Sequence, residues 1–193
     1  MSDRLIRTFI SVPAPAEVNL ARDSLKDKII SNGAKINWIR KDNHHFTLKF
    51  IGDMPEDDAD RVSDAISRII QSTTSIDLEI AGTGCFPKKE RPRILWMGVQ
   101  GDLKPLQSLV KDINEALDPL GYPKEEKKYI PHLTIARIRY PQKTTPDVSL
   151  FLDTQFEPIP FSINKIHFMR SELFFKGSVY TILDTHFLTK INI

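Results

Sequence analysis

"HFTL" at residues 45–48 returns as "HLTI" at residues 132–135, so a His, a spacer, a Thr and an aliphatic residue are written twice in one chain. With five His and 12 Thr among 193 positions, about 0.3 His-x-Thr pairs arise by chance. Two are present, and they hold equivalent places among their neighbours. "RTFISV" at 7–12 and "RILWMGV" at 93–99 both read as strands. Phe9 to His45 spans 36 residues and Leu95 to His132 spans 37. From each His to the next strand, beginning at Ile76 or Phe161, the separations are 31 and 29. The chain therefore reads as an internal duplication with a period of about 87 residues, its halves beginning near residues 7 and 93.

Between these strands lie stretches of helical period. Val18, Ala21, Leu25 and Ile29 recur at spacings of three and four until Asn32 and Gly33 stop them. Ala59, Val62, Ile66 and Ile69 mark a second helix, and Leu103, Leu106, Val110, Ile113, Leu117 and Leu120 a long third. Residues 148–152 suggest a short fourth. "INWIR" at 36–40, the alternation of Ile76, Leu78 and Ile80, "FSINKIHF" at 161–168 and "VYTILDTHF" at 179–187 read as further strands. The expected fold is α+β: one bilobal domain over residues 1–193, with a small antiparallel-rich sheet and helices in each lobe and a central cleft between the lobes.

Composition narrows the function. A net charge of +2 is too balanced for a long electrostatic track on duplex nucleic acid, while a short anionic ligand suits it. Cys85 stands alone, which precludes an intrachain disulfide and makes the cytoplasm the default location. "MSDRLIRTFISVPAPAE" meets charges and prolines before any long apolar stretch, unlike a secretory signal, and no segment suits a bilayer span. Neither an HExxH helix nor paired cysteines are written, so no metal and no cofactor is expected. "GTGCF" at 82–86 lacks the Lys-Ser/Thr ending of a phosphate loop and reads as a turn, with Cys85 an incidental thiol.

Strand alternation puts His45 and Thr47 on one face, with Phe46, Leu48 and Phe50 on the other. His132 and Thr134 repeat the arrangement against Leu133 and Ile135. Two imidazoles flanking one substrate divide acid and base work, one protonated and one neutral, because His titrates near neutral pH. Thr hydroxyls beside them donate to anionic oxygens. Such a set suits a phosphodiester, and the spacing leaves open which imidazole is acid and which is base. His44 points away from His45, and His167 and His186 are followed by no Thr two positions on, so structural roles are assigned to them. Trp38 and Trp96 are assigned to the core, and the charged runs at 87–93 and 124–128 to solvated loops.

These residues resemble the two-histidine phosphoesterases, and within them the RNA 2',3'-cyclic phosphodiesterases historically called 2'-5' RNA ligases. The similarity runs nearly end to end, through "WIRKDNHHFTLKFIGD", "GTGCFPKKERPRILWMGV", "YIPHLTIARIR" and "LFFKGSVYTILDTHFL". It implies metal-independent hydrolysis of an RNA 2',3'-cyclic phosphate to a 2'-phosphate. RNA 3' ends or cyclic nucleotides are the expected partners, and a monomer is the expected state. By the same analogy His45 protonates the departing 3' oxygen, His132 activates water, and Thr47 and Thr134 hold the phosphate. Arg137 matches a family arginine, yet strict alternation sets it on the face opposite His132, so a bulge or the strand's end must redirect it. His44 stands where relatives carry an apolar residue. Joining or cleaving 2'-5' linkages, or binding RNA ends without turnover, are the competing functions.

Overall fold

The first strand runs through the interior: every residue from Thr8 to Val12 is buried, with Ile6, Ile10 and Val12 in the apolar core, while Leu5 and Arg7 near its start are exposed. The computed structural model describes residues 4–174 and 177–189. Along the chain come β1 (Leu5–Pro13), α1 (Val18–Lys26), β2 (Ile36–Trp38), β3 (His45–Pro55), α2 (Ala59–Ile70), β4 (Ile76–Phe86) and β5 (Ile94–Gln100). They are followed by α3 (Lys104–Leu117), β6 (His132–Ile138), α4 (Ser149–Asp153), β7 (Ile159–Ile163), β8 (Lys165–Phe174) and β9 (Gly177–Phe187).

One antiparallel sheet runs β7-β4-β5-β6-β3-β1-β8-β9, with β2 added to β6. The expectation of separate small sheets is corrected at its middle, where Phe46 of β3 pairs with Leu133 of β6 and joins the two sides. Outward from that seam lie β1, β8 and β9 on one side and β5, β4 and β7 on the other. The sheet is curled. β7 and β8 are separated in sequence only by Asn164 yet pair with β4 and β1 on opposite sides of the seam. Beyond β9, the Leu188 N–H donates to the Asn164 carbonyl at 2.9 Å, and Thr189 bridges Thr74, just before β4.

Two helices bury their apolar stripes against this sheet. α2 contributes Val62, Ala65, Ile66 and Ile70, and α3 contributes Leu106, Leu109, Val110, Ile113 and Leu117. Each fully buried aliphatic side chain of this size contributes about 1.5–3 kcal/mol. α3 begins where the Asp102 carboxylate accepts the Lys104 N–H at 3.1 Å, with Pro105 in its first turn.

Two stretches differ from expectation. Residues 161–168 form parts of two strands, because Ile163 pairs with Ile76 while the chain from Lys165 turns to β9 and β1. "GTGCF" belongs to β4 and is not a turn. The strand passes through it because Gly82, at φ 71, lies in the irregularity between Ile80 and Thr83, a conformation without penalty only for glycine.

Candidate active site

The seam places the duplicated tetrads side by side. With Phe46 opposite Leu133, the antiparallel register continued by one residue each way sets Thr47 across from His132 and His45 across from Thr134. Directly opposed residues share a face, and diagonal neighbours such as His45 and His132 lie about 7–8 Å apart at Cα, a gap one phosphate can fill. All four side chains are half-buried. Phe46 and Leu133 point to the core, as the alternation requires.

Both strands slip phase at the fourth residue of the tetrad. On β3, Ser11 pairs with Thr47 and Ile10 with Lys49, which leaves Leu48 as the extra residue of a bulge. On β6, Trp96 pairs with Thr134 and Leu95 with Ala136, which leaves Ile135 extra. Leu48 with Lys49, and Ile135 with Ala136, are therefore buried consecutively. The next residue of each strand returns to the histidine face. On β6 that residue is Arg137, so the bulge does redirect it. On β3 it is Phe50, 57% exposed, which corrects the expectation that it faces the core.

Each imidazole is anchored in the same way. His45 Nδ1 lies 2.7 Å from the Asn43 carbonyl, and His132 Nδ1 lies 2.7 Å from the Ile130 carbonyl. A carbonyl only accepts, so Nδ1 carries the proton and Nε2 is left as the accepting nitrogen of each ring. These two carbonyls went unread in the sequence because a backbone group has no residue signature. Among the described residues, neither Thr47 nor Thr134 has a side-chain hydrogen bond within the protein.

Aromatic rings wall both histidines. Phe9 lies 4.9 Å from the His45 ring at a tilt, and Tyr180 meets that ring edge-on at 5.2 Å. Phe86 meets the His132 ring edge-on at 5.1 Å, with Trp96 at 6.1 Å. Trp96 thus lies on the reactive face and not in the core, because it pairs with Thr134 and its indole lies flat over Gly84. Trp38 does pack against the core, under Arg22 and Lys26.

Burial pushes the His45 imidazole down to about 4, and the positive charges of Arg137 and His132 act in the same direction against the Asn43 hydrogen bond. His132 is also lowered, first by burial and then by Arg137, against its bond to Ile130. Both rings are neutral in the free protein at pH 7. The positive charge of Arg137 lowers both imidazoles.

The remaining histidines lie elsewhere. His44 is buried, and neither ring nitrogen has a partner among the described residues. Burial lowers its pKa to about 4, with Arg22 the next cause and His45 a smaller one. His167 Nδ1 lies 2.9 Å from the Thr185 hydroxyl, and His186 packs beside Ser63 and Asp184 on the α2 side of β9. A cavity of about 240 Å³ under residues 124–129 is lined by neither His45 nor His132. No helix among the described residues is long and apolar enough to cross a membrane.

A strand-rich, curled antiparallel sheet with a few helices is the fold of the two-histidine phosphoesterases. The chain belongs to the 2'-5' RNA ligase superfamily, whose family model matches residues 24–173. It is 29% identical to the RNA 2',3'-cyclic phosphodiesterase of Thermotoga maritima over 92% of this chain and 93% of that protein. It is also 29% identical to the protein of the same name from Aquifex aeolicus, over 96% and 98%. A crystal structure of a Thermus thermophilus protein superposes with a TM-score of 0.78 at 25% identity, covering 95% and 98% of the two chains. E. coli LigT complexed with 3'-AMP has the same fold, with a TM-score of 0.72 at 19% identity over 96% and 99%.

Proposed function

We propose that this protein hydrolyses RNA 2',3'-cyclic phosphate ends to 2'-phosphate ends by two-histidine general acid–base catalysis, without a metal. The observation that carries the reading is the β3–β6 seam, which sets both His-x-Thr pairs on one face, with neither Nε2 hydrogen-bonded among the described residues. The names of the relatives in Thermotoga maritima and Aquifex aeolicus supply the substrate class. In the reaction, His132 Nε2 takes a proton from water as the water oxygen bonds to phosphorus. The bond from phosphorus to the 3' oxygen breaks, and His45 supplies the proton that this oxygen acquires. The 2' ester remains intact. Thr47, Thr134 and Arg137 hold the nonbridging oxygens, whose charge grows in the transition state.

Neutral imidazoles in the free protein fit this scheme once the substrate binds. A phosphodiester anion between the rings favours a charged imidazole and counters the burial that lowers both pKa values. The test is incubation with a 2',3'-cyclic nucleotide in EDTA, with separation of the 2'- and 3'-phosphate products. A 2'-phosphate formed in EDTA is expected. A 3'-phosphate, or turnover abolished by EDTA, contradicts the scheme. The same two imidazoles would serve joining or cleavage of 2'-5' linkages, the reading that the superfamily's name favours. Product analysis on 2'-5' linked oligonucleotides separates the two. Binding of a cyclic phosphate end with no product would mark an RNA-end binding module.

A further inference from the structure

The two reactive histidines share an anchor but not its surroundings. His132 is held by Ile130, a residue with no polar side chain, and its edge-on partner Phe86 belongs to β4, paired with Ile94 of β5. His45 is held by Asn43, which closes a 3-10 turn at Lys41–Asn43 with its own N–H donating to the Arg40 carbonyl at 2.9 Å. The Asn43 side chain then reaches 135 residues along the chain, its Nδ2 donating to the Ser178 carbonyl of β9 at 3.1 Å. Two residues beyond Ser178 stands Tyr180, whose ring lies 5.2 Å from both His45 and Phe9.

Resting on the proposed reaction, we infer that Asn43 is a positioning residue for the general acid. Its carbonyl fixes the His45 ring, while its amide holds the β8–β9 hairpin so that Tyr180 covers the same ring. The acid side of the site is thus assembled from a turn and a distant hairpin, whereas the base side is built into paired strands. With the amide contact gone, the carbonyl still holds Nδ1 but the hairpin loses its tie beside the ring. Tyr180 then covers His45 less, and water reaches the imidazole. Desolvation is the first cause of the lowered His45 pKa, so its relief raises that pKa. The other charged or titratable groups facing His45 are Arg137 and His132 of β6 and the adjacent His44, none of which Asn43 contacts through its amide.

The experiment is an NMR titration of the imidazoles in the full-length wild type, Asn43→Ala, Tyr180→Ala and the double variant. Asn43→Ala is expected to raise the His45 pKa by about one unit and leave His132 unmoved. Tyr180→Ala gives a similar rise, and the double variant rises no further than the larger single effect, because both changes remove one contact surface. The alkaline limb of kcat/KM against pH moves up in the same variants. An unmoved His45 in Asn43→Ala, or shifts that add fully, overturns the inference. If Asn43→Ala does not fold, an unmoved His45 in Tyr180→Ala is sufficient to overturn it. The titration needs no turnover, so a wild type inactive on cyclic phosphates would defeat the proposed reaction and not this coupling.

Discussion

His44 and His45 are neighbours with opposite assignments, and strand geometry separates them. His45 faces the candidate site, while His44 is turned into the protein with neither ring nitrogen partnered among the described residues. An unpaired buried polar group is costly, and replacement by an apolar side chain of similar size removes the cost. His44→Leu is therefore expected to stabilise the protein by about 1 kcal/mol at pH 7.5. The pH dependence has a definite sign. Its pKa falls from the ordinary 6.5 to about 4 in the fold, so the unfolded chain takes up the proton first as pH drops. Stability from neutral His44 is fully present above pH 6.5 and is lost as pH falls from there towards 4. The advantage of His44→Leu in urea unfolding thus widens from pH 7.5 to pH 5, and a variant no more stable at either pH contradicts this account.

The same sign governs His45 and His132 in the proposed reaction. kcat/KM reports the free protein, where burial and Arg137 hold both imidazoles below the usual histidine range. kcat reports the complex, where the bound anion raises them. The kcat/KM maximum on a 2',3'-cyclic nucleotide is expected at a lower pH than the kcat maximum. Coincident profiles would show that the phosphate does not sit between the rings.

At the scale of elements, β4 and β5 support the His132 side of the site through an absence. A Cβ built on Gly84 would lie 2.0 Å from the Trp96 ring, which rests on the bare α-carbon there. Gly84→Ala must swing the indole away, and Trp96 borders both Thr134 and His132. Turnover is expected to fall about 10- to 100-fold, since displacements near 1 Å at a reacting centre have costs of this size. Wild-type kcat/KM with unchanged tryptophan fluorescence would disprove the contact. On β3, buried Lys49 donates to Asn114 Oδ1 and the Pro123 carbonyl, both at 2.7 Å, tying the strand to α3 and to the segment that leads into His132. Lys49→Met takes the ammonium from the Pro123 carbonyl and leaves Asn114 Oδ1 with the longer Glu125 N–H contact at 3.4 Å, and is expected to destabilise the protein by about 2–3 kcal/mol in denaturant titration.

Over the whole molecule, residue patterns announced what depends on side-chain type and hid what depends on backbone phase. The His-x-Thr duplication, the apolar stripes of α2 and α3 and the alternation at the start of β4 were legible because burial selects residue types at fixed spacing. The bulges at Leu48 and Ile135 were not, since an extra residue in a strand looks like any aliphatic one, and they decide where Phe50 and Arg137 point. Nor was the seam legible. One pair, Phe46 with Leu133, turns two expected sheets into one and brings the tetrads together. The central claim is that these paired imidazoles act on one phosphate. Its most direct measurement is turnover of a 2',3'-cyclic nucleotide by His45→Ala and His132→Ala, with folding checked by circular dichroism. Each variant is predicted to stay folded and lose about 10²- to 10⁴-fold in kcat; full activity in either contradicts the claim.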